Sequence, residues 1–209
     1  ISASRPIGPN ASKKERDEFS NDVDIIVQDI QKKHSHLLQT NQPLVIINGG
    51  AGRENSGMDA INQVAQKLTN QGFNVNQIYC DIKNGFPDEK KPEKNIEVQK
   101  MGFNLRQLAV ISGQHVYVLP GGFGTNYELF QLLTLQQLKR FGIDITSTNL
   151  EFKFKSIILV SDSGLFNPLT QHFKTQLKIG AISESELNNV YSIKKDTSIH
   201  LINQIKEIK

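Results

Sequence analysis

The sequence predicts an α/β domain in which a parallel sheet is doubly wound, with helices on both of its faces. Short apolar runs of strand length alternate with longer segments of helical periodicity along the whole chain. Several of these runs are apolar at every position, which indicates strands buried on both faces. Two runs end in glycine-rich turns. Because ligands bind at the carboxyl ends of the strands in such sheets, these turns are the first places to look for function.

The composition favours one cytoplasmic domain. The 209 residues are enough for a single α/β domain, 1–209, with a substantial core. The net charge is only +3 and the basic residues are scattered, so the basic face of a nucleic-acid-binding protein is not expected. The single cysteine, Cys80, excludes an intrachain disulfide and fits a reducing compartment. No apolar run reaches the roughly 20 residues of a membrane span and no signal peptide is visible, which predicts a cytoplasmic protein away from membranes.

The first elements can be assigned from periodicity. The opening residues Ile1-Ser2-Ala3-Ser4 are typical of the end of a strand, so we expect the sequence to begin inside its first strand. A helix is predicted from Glu18 to Leu38, where apolar residues recur at helical spacing. The apolar run Pro43–Asn48 ends in a glycine pair, the pattern of a central parallel strand. A helix over Gly57–Gln71 and a strand over Asn74–Cys80 follow.

The remaining elements continue the alternation after one irregular segment. From Asp81 to Lys100 the chain carries two prolines and many charges but no core-forming pattern, which predicts a solvated loop or a mobile flap. The later elements are assigned from the same periodicities. They are a helix over Met101–Ser112, a strand over His115–Leu119, a helix from Glu128 to Leu135, a strand over Phe154–Val160, a helix over Asn167–Ile179, a strand over Asn189–Ile193 and a helix over Thr197–Ile208.

The turn after the predicted strand His115–Leu119 is the most informative stretch of the chain. It reads Leu119-Pro120-Gly121-Gly122-Phe123-Gly124-Thr125-Asn126-Tyr127-Glu128, with three glycines and a carboxylate between a buried strand and a helix. Glycines let a ligand approach the backbone closely. The amides of the first helical turn have no partner within the helix and favour an anion, most often a phosphate. The stretch therefore predicts a phosphate site with an acid beside it.

A structural explanation competes with this functional one. Thr125 and Glu128 match the S/T-x-x-E capping box, in which the threonine caps the helix and the glutamate reaches back to its amide. Those two residues alone favour capping. A simple cap does not need three glycines at the mouth of a buried strand, whereas a ligand pressed against the backbone does.

A second glycine-rich turn runs from Asn48 to Gly57. It has neither the G-x-G-x-x-G spacing of a dinucleotide site nor the G-K-[ST] ending of a Walker loop. Considered alone, it is equally well explained as a long polar loop. Since both turns follow the carboxyl ends of strands, we expect them to converge on one pocket.

Together, the two turns resemble the Lonely Guy (LOG) family, once widely labelled "lysine decarboxylase-like". Pro120–Glu128 fits the family signature P-G-G-x-G-T-x-x-E at every fixed position. Ser2-Ala3-Ser4 and Asn48-Gly49-Gly50 with Gly57-Met58 are similar to the family's first two loops, and the resemblance covers essentially the whole chain. Two features depart from the family pattern. Arg106-Gln107 stands where an Arg-Lys pair is usual, and Arg53–Ser56 replaces a more compact glycine-rich loop.

The resemblance implies a fold, a reaction and a set of site residues. The fold is Rossmann-like. The reaction is metal-independent hydrolysis of the N-glycosidic bond of a cytokinin- or AMP-like nucleoside 5′-monophosphate, without a cofactor, to free base and ribose 5-phosphate. Glu128 and Arg106 are the expected catalytic residues. The family is generally dimeric, which predicts a homodimer; the apolar helix Leu129–Leu138 fits its contact surface and fits the protein core equally well. The expected phosphate-binding and substrate-binding residues are Gly121, Gly122, Gly124, Thr125, Gly49, Gly50, Ser4 and Arg5.

Two other functional classes remain open at this point. A non-catalytic nucleotide- or cofactor-binding carrier uses the same kind of fold, and fold resemblance does not separate it from an enzyme. A single-stranded DNA-binding module is disfavoured by the missing basic face. The pair His34 and His36 has no third ligand nearby in the sequence, which favours a solvated surface over a metal site. Cys80 is expected to be a small buried hydrophobe.

Overall fold

The computed structural model describes residues 12–49, 57–82, 96–121, 123–140, 156–160, 166–194 and 197–207. Within these residues, helices and strands alternate along most of the chain. In order they are α1 (Lys13–His34), α2 (Leu37–Thr40), β1 (Leu44–Asn48), α3 (Gly57–Asn70), β2 (Val75–Ile82), β3 (Glu97–Met101), α4 (Phe103–Ile111), β4 (His115–Val118), α5 (Phe123–Arg140), β5 (Ser156–Val160), α6 (Asn167–Lys178), a 3₁₀ turn (Glu184–Leu187), β6 (Val190–Lys194), β7 (Thr197–His200) and α7 (Leu201–Glu207).

The described strands form two sheets. The order of the first sheet is β1-β2-β3 and all of its pairs are parallel, with Ile47 opposite Ile78. The order of the second is β4-β5-β6-β7, in which only the last pair is antiparallel. The edge strands β1 and β4 both line a cavity of about 490 Å³. The sheet predicted as one is therefore divided between β1 and β4, where apolar side chains of both strands face this space.

Helices cover both faces of the strands, as the sequence predicts. The alternation within β5 shows this directly, since all five of its residues are buried. Ile157 and Leu159 pack in a first core layer with side chains of α4, α5 and α6, whereas Ile158 and Val160 pack in a second core layer with side chains of α1 and α3. A strand buried on both faces has no polar alternation, which is why β5 reads as an uninterrupted apolar run.

Two edge strands differ from the sequence-based assignment. Glu97–Met101, predicted as the end of a loop and the first residue of the next helix, forms β3 and pairs with β2. Thr197–His200, predicted as the start of the last helix, forms β7 and pairs antiparallel with β6. The residues of β7 and all but the last of β3 are exposed, so backbone pairing defines these strands and no apolar periodicity indicates them. The rest of the predicted Asp81–Lys100 loop, residues 83–95, lies outside the described part of the chain.

The helix after the main motif begins earlier than predicted. α5 starts at Phe123, which makes Thr125 its third residue. The capping-box explanation is therefore wrong, because an N-cap residue precedes the first helical residue. The early start places Gly124 and Thr125 in the first turn, where backbone amides have no partner within the helix.

None of the helices in the described residues is long and apolar enough to cross a membrane. The longest is α1, whose inner face packs in the second core layer through Val23, Ile26 and Ile30. Its outer face carries the charged residues of an amphipathic helix.

Candidate functional site

The end of β1 is built around a close approach between Gly49 and α4. A Cβ atom added to Gly49 would lie 2.6 Å from Val110 Cγ2 and 3.0 Å from Arg106 Nε. Separations this short are clashes, so a side chain at position 49 requires one of these groups to move. Gly49 was predicted as a ligand-facing glycine. In the structure, its missing side chain also makes room for the guanidinium of Arg106.

Arg106 is held by groups from two other elements. It lies on α4 and is only 9 % exposed. Its Nε donates a hydrogen bond of 3.3 Å to the carbonyl oxygen of Cys80 on β2, and its Nη1 lies 3.7 Å from Glu128 Oε1 on α5. A buried guanidinium needs such partners, because an unpaired charge in the interior is strongly unfavourable. The side chain therefore links β2 of the first sheet to α5, the helix that follows β4 of the second sheet.

Glu128 is the buried acid of the main motif. It is 3 % exposed and its carboxylate faces Arg106. Burial raises the pKa of Glu128 above the usual value of a carboxylic acid, and the positive charge of Arg106 opposes this rise. The distance of 3.7 Å is longer than the 2.7–2.9 Å or so of a tight charge-assisted hydrogen bond. The contact is therefore a loose ion pair and not a tight charge-assisted hydrogen bond.

The glycines of the main motif lie where β4 passes into α5. Gly121 follows the strand and is partly buried, and Thr125 is buried. Gly124 is exposed, and an added Cβ atom there would meet none of the described residues within 4 Å. The first turn of α5 therefore presents an open backbone surface, and its dipole attracts an anion.

The structure brings together three of the predicted site residues, Gly49, Arg106 and Glu128, at the carboxyl ends of β1 and β2 and on the helix that follows β4. The predicted residues Ser4, Arg5, Gly50 and Gly122 lie outside the described residues, as does the unusual loop at Arg53. Their roles, like those of Arg106 and Glu128, stay predictions.

Asn48 was not predicted as a site residue. It is the last residue of β1 and is 0 % exposed, yet neither its amide nitrogen nor its amide oxygen has a hydrogen-bond partner among the described residues. Buried polar atoms are normally paired. The sequence signal is the single polar residue that closes the apolar run of Leu44–Ile47 immediately before a glycine pair.

The other polar side chains near the strands show no metal or nucleophile site. Within the described part of the chain, no group of three or more His, Cys, Asp or Glu side chains is arranged to hold a metal ion. Cys80 is buried and burial raises the pKa of its thiol, with Arg106 opposing, so it remains a thiol at neutral pH. Of the two histidines predicted on a solvated face, His36 is exposed, whereas His34 is partly buried and its ring packs 5.2 Å from that of His115.

The fold is that of a doubly wound α/β protein, a class in which ligands usually bind at the carboxyl ends of the strands. The family described as "Possible lysine decarboxylase" matches residues 58–205, which include Arg106 and the whole main motif. The chain belongs to this LOG-like family, so the resemblance recognised in Pro120–Glu128 is confirmed. No curated protein matches the chain significantly.

Proposed function

We propose that the protein hydrolyses the N-glycosidic bond of a nucleoside 5′-monophosphate and releases free base and ribose 5-phosphate. Water adds to C1′ of the ribose, the C1′–N bond breaks, and its electron pair leaves with the base, which takes up a proton. The observation that carries the proposal is the buried pair of Arg106 and Glu128 beside the open N-terminus of α5. Membership of the LOG-like family supports the same class of reaction.

Glu128 is proposed as a catalytic residue that acts through its carboxylate. Cleavage of a glycosidic bond passes through a cation-like sugar, so a nearby carboxylate stabilises the developing positive charge or activates water. Burial strengthens this interaction because the surrounding dielectric constant is low. The positive charge of Arg106 partly neutralises the carboxylate of Glu128. Because their contact is long, the carboxylate can interact with the sugar without the loss of a tight hydrogen bond.

The first turn of α5 is the proposed phosphate site. The amides near Gly121, Gly124 and Thr125 belong to the strand end and the first helical turn, and the absence of a side chain at Gly124 lets a phosphate approach the backbone. Such a site fixes one end of the nucleotide. Glu128 lies one helical turn further along α5, so a ribose attached to that phosphate is within reach of its carboxylate.

Arg106 is the proposed partner of the substrate's negative charge. Its bond to Cys80 and its contact with Glu128 use Nε and Nη1, and a guanidinium has further N–H donors. These donors suit a phosphate oxygen or the nitrogen of a departing base that is gaining electron density. We also propose that the protein is a cytoplasmic homodimer, as expected from its single cysteine and from the LOG resemblance.

The competing function is a nucleotide carrier on the same fold. A carrier needs the phosphate site but not a buried acid at the sugar, so the Arg106–Glu128 pair favours the enzyme. The deciding experiment incubates the protein with adenosine, guanosine, cytidine and uridine 5′-monophosphates and separates the products by liquid chromatography. The enzyme releases free base and ribose 5-phosphate from at least one of them. Binding without release of base from any nucleotide supports the carrier instead.

A further inference from the structure

We infer that Asn48 binds the substrate directly, its carboxamide pairing with the polar edge of the leaving base. This inference rests on the proposed function and adds a residue to it. Asn48 is the last residue of β1, one position before Gly49, which contacts Arg106. It is fully buried, at 0 % exposure.

The starting observation is that both polar atoms of this side chain, Nδ2 and Oδ1, lack a hydrogen-bond partner among the described residues. A buried amide without partners destabilises a protein, whereas an apolar side chain of the same shape does not. The neighbouring residues of β1 show that an apolar residue would fit, because Leu44 and Ile46 on the same face pack in the second core layer. An asparagine at this position therefore needs a hydrogen-bond partner that the described residues do not supply.

The position of Asn48 indicates which part of the substrate it meets. Successive side chains of a strand point to opposite faces. Ile47 packs in the first core layer and Gly49 faces α4, so Asn48 faces the second layer, on the other side of β1 from Arg106 and Glu128. With the phosphate at the N-terminus of α5 and the sugar at Glu128, the base is the portion left to extend across the end of β1.

The chemistry of a carboxamide suits that portion. The side chain of Asn48 offers an N–H donor and a C=O acceptor in one plane. Nucleobases carry donors and acceptors side by side on their edges, and asparagine binds such edges with two parallel hydrogen bonds. A phosphate offers only acceptors and would leave the oxygen of Asn48 unpaired. An apolar ligand would leave both atoms unpaired.

The test compares Asn48→Leu with a matched control. Gln204 on α7 also has a buried side-chain oxygen without a partner among the described residues, and α7 packs at the β6–β7 end of the second sheet. Gln204→Leu therefore removes a comparable group away from the site. Both changes are made in a Glu128→Gln background so that bound nucleotide is not consumed, and thermal unfolding is recorded for each. Titration calorimetry measures binding of the four nucleoside monophosphates and of ribose 5-phosphate, which has no base.

The expected result is selective. Asn48→Leu weakens the tightest nucleotide by about tenfold or more, the value of a lost pair of hydrogen bonds to a base. It leaves the affinity for ribose 5-phosphate and the melting temperature unchanged or higher, and Gln204→Leu changes neither affinity. An equal loss for nucleotide and ribose 5-phosphate, unchanged nucleotide affinity, or a lowered melting temperature overturns the inference. Because these are binding measurements, they decide the role of Asn48 even if no nucleotide is hydrolysed.

Discussion

Arg106 on α4 and Glu128 on α5 form a buried ion pair, with Nη1 and Oε1 3.7 Å apart. They are brought together by Gly49, whose missing side chain admits the guanidinium, and by the carbonyl of Cys80, which accepts its Nε–H. Burial raises the pKa of Glu128 even in the presence of this arginine. Ionisation of Glu128 is therefore less favourable in the folded protein than in water. Variants at this position can show separately what the carboxylate does for stability and what it does for activity.

Replacing Glu128 by glutamine is expected to stabilise the protein at neutral pH. A carboxyl group whose pKa is higher in the folded state stays protonated to a higher pH there than in the unfolded state. Its contribution to stability is therefore lost as the pH rises from the pKa of the unfolded state through the raised pKa of the folded state. Glutamine mimics the protonated acid and avoids this loss. The gain over wild type should thus be small in acid and grow toward neutral pH, as measured by thermal unfolding across this range.

The control for this prediction is Glu207→Gln, at an exposed position near the end of α7. It removes one carboxyl group that is exposed instead of buried, and the two variants are compared across the same pH range. A Glu128→Gln variant that is less stable than wild type at neutral pH would show that the carboxylate stabilises the fold and that burial does not dominate its pKa.

Replacing Arg106 by glutamine is expected to move the acid side of the pH–rate profile. The positive charge of Arg106 lowers the pKa of Glu128 against the effect of burial, so its removal should raise that pKa further. If Glu128 acts as a carboxylate, kcat/KM in the variant begins to fall at a higher pH than in wild type. Arg106→Lys keeps the positive charge, so the pH at which kcat/KM begins to fall should stay closer to that of wild type. An unshifted limb in Arg106→Gln would separate Arg106 from the titration of Glu128.

Gly49→Ala is expected to lower both stability and activity. The new Cβ atom would lie 2.6 Å from Val110 Cγ2 and 3.0 Å from Arg106 Nε, so either α4 or the guanidinium must move. Overpacking of this kind costs about 1–3 kcal/mol. Denaturant unfolding measures the loss of stability, and the rate of base release measures the displacement of Arg106. A stability equal to that of wild type would mean that Val110 and Arg106 move away from the new methyl group at little cost in free energy.

Gly124→Ala is expected to separate stability from binding. Gly124 lies in the first turn of α5, and none of the described residues lies within 4 Å of an added Cβ atom there. Alanine in a helix is favoured over glycine by up to about 1 kcal/mol. The folded protein should therefore be at least as stable. If a phosphate lies against this backbone, the methyl group obstructs it and calorimetry should show weaker binding of ribose 5-phosphate. Unchanged binding would move the phosphate site away from Gly124.

The predicted homodimer is expected to use an aromatic stripe on α5. Leu129 and Leu132, within the contact surface predicted from sequence, belong to the first core layer. Phe123, Tyr127 and Phe130 instead lie exposed at helical spacing, with Phe123 95 % exposed. Light scattering should report a dimer at micromolar concentration and a monomer for Phe130→Glu. Ile179→Glu, at another exposed apolar residue, should remain dimeric.

The sequence predicted the parts of the fold in which burial is continuous. β5 is an apolar run from Ile157 to Val160 because helices cover both of its faces, and α3 and α6 have one apolar stripe each. β3 and β7 were missed because edge strands with exposed side chains carry no periodic signal. Their pairing depends on backbone contacts with distant segments, and these are invisible in local sequence.

The candidate site was predictable where one residue type has few alternatives. Glu128 and the glycines follow from the motif, and Arg106 follows from the family pattern despite its changed neighbour Gln107. Asn48 was not predictable in this way, since a polar residue at the end of a strand usually reaches solvent. Only the three-dimensional burial of its carboxamide distinguishes it.

The central claim is that the protein hydrolyses the N-glycosidic bond of a nucleoside monophosphate and that Glu128 is a catalytic residue of this reaction. The most direct test is the initial rate of free-base release by wild type and by Glu128→Gln, at equal concentrations of protein verified as folded by thermal unfolding. Loss of a catalytic acid–base group should reduce this rate by about 10²–10⁴-fold. Release of free base at the wild-type rate by Glu128→Gln, or release of nucleoside and inorganic phosphate instead of base and ribose 5-phosphate, would contradict it.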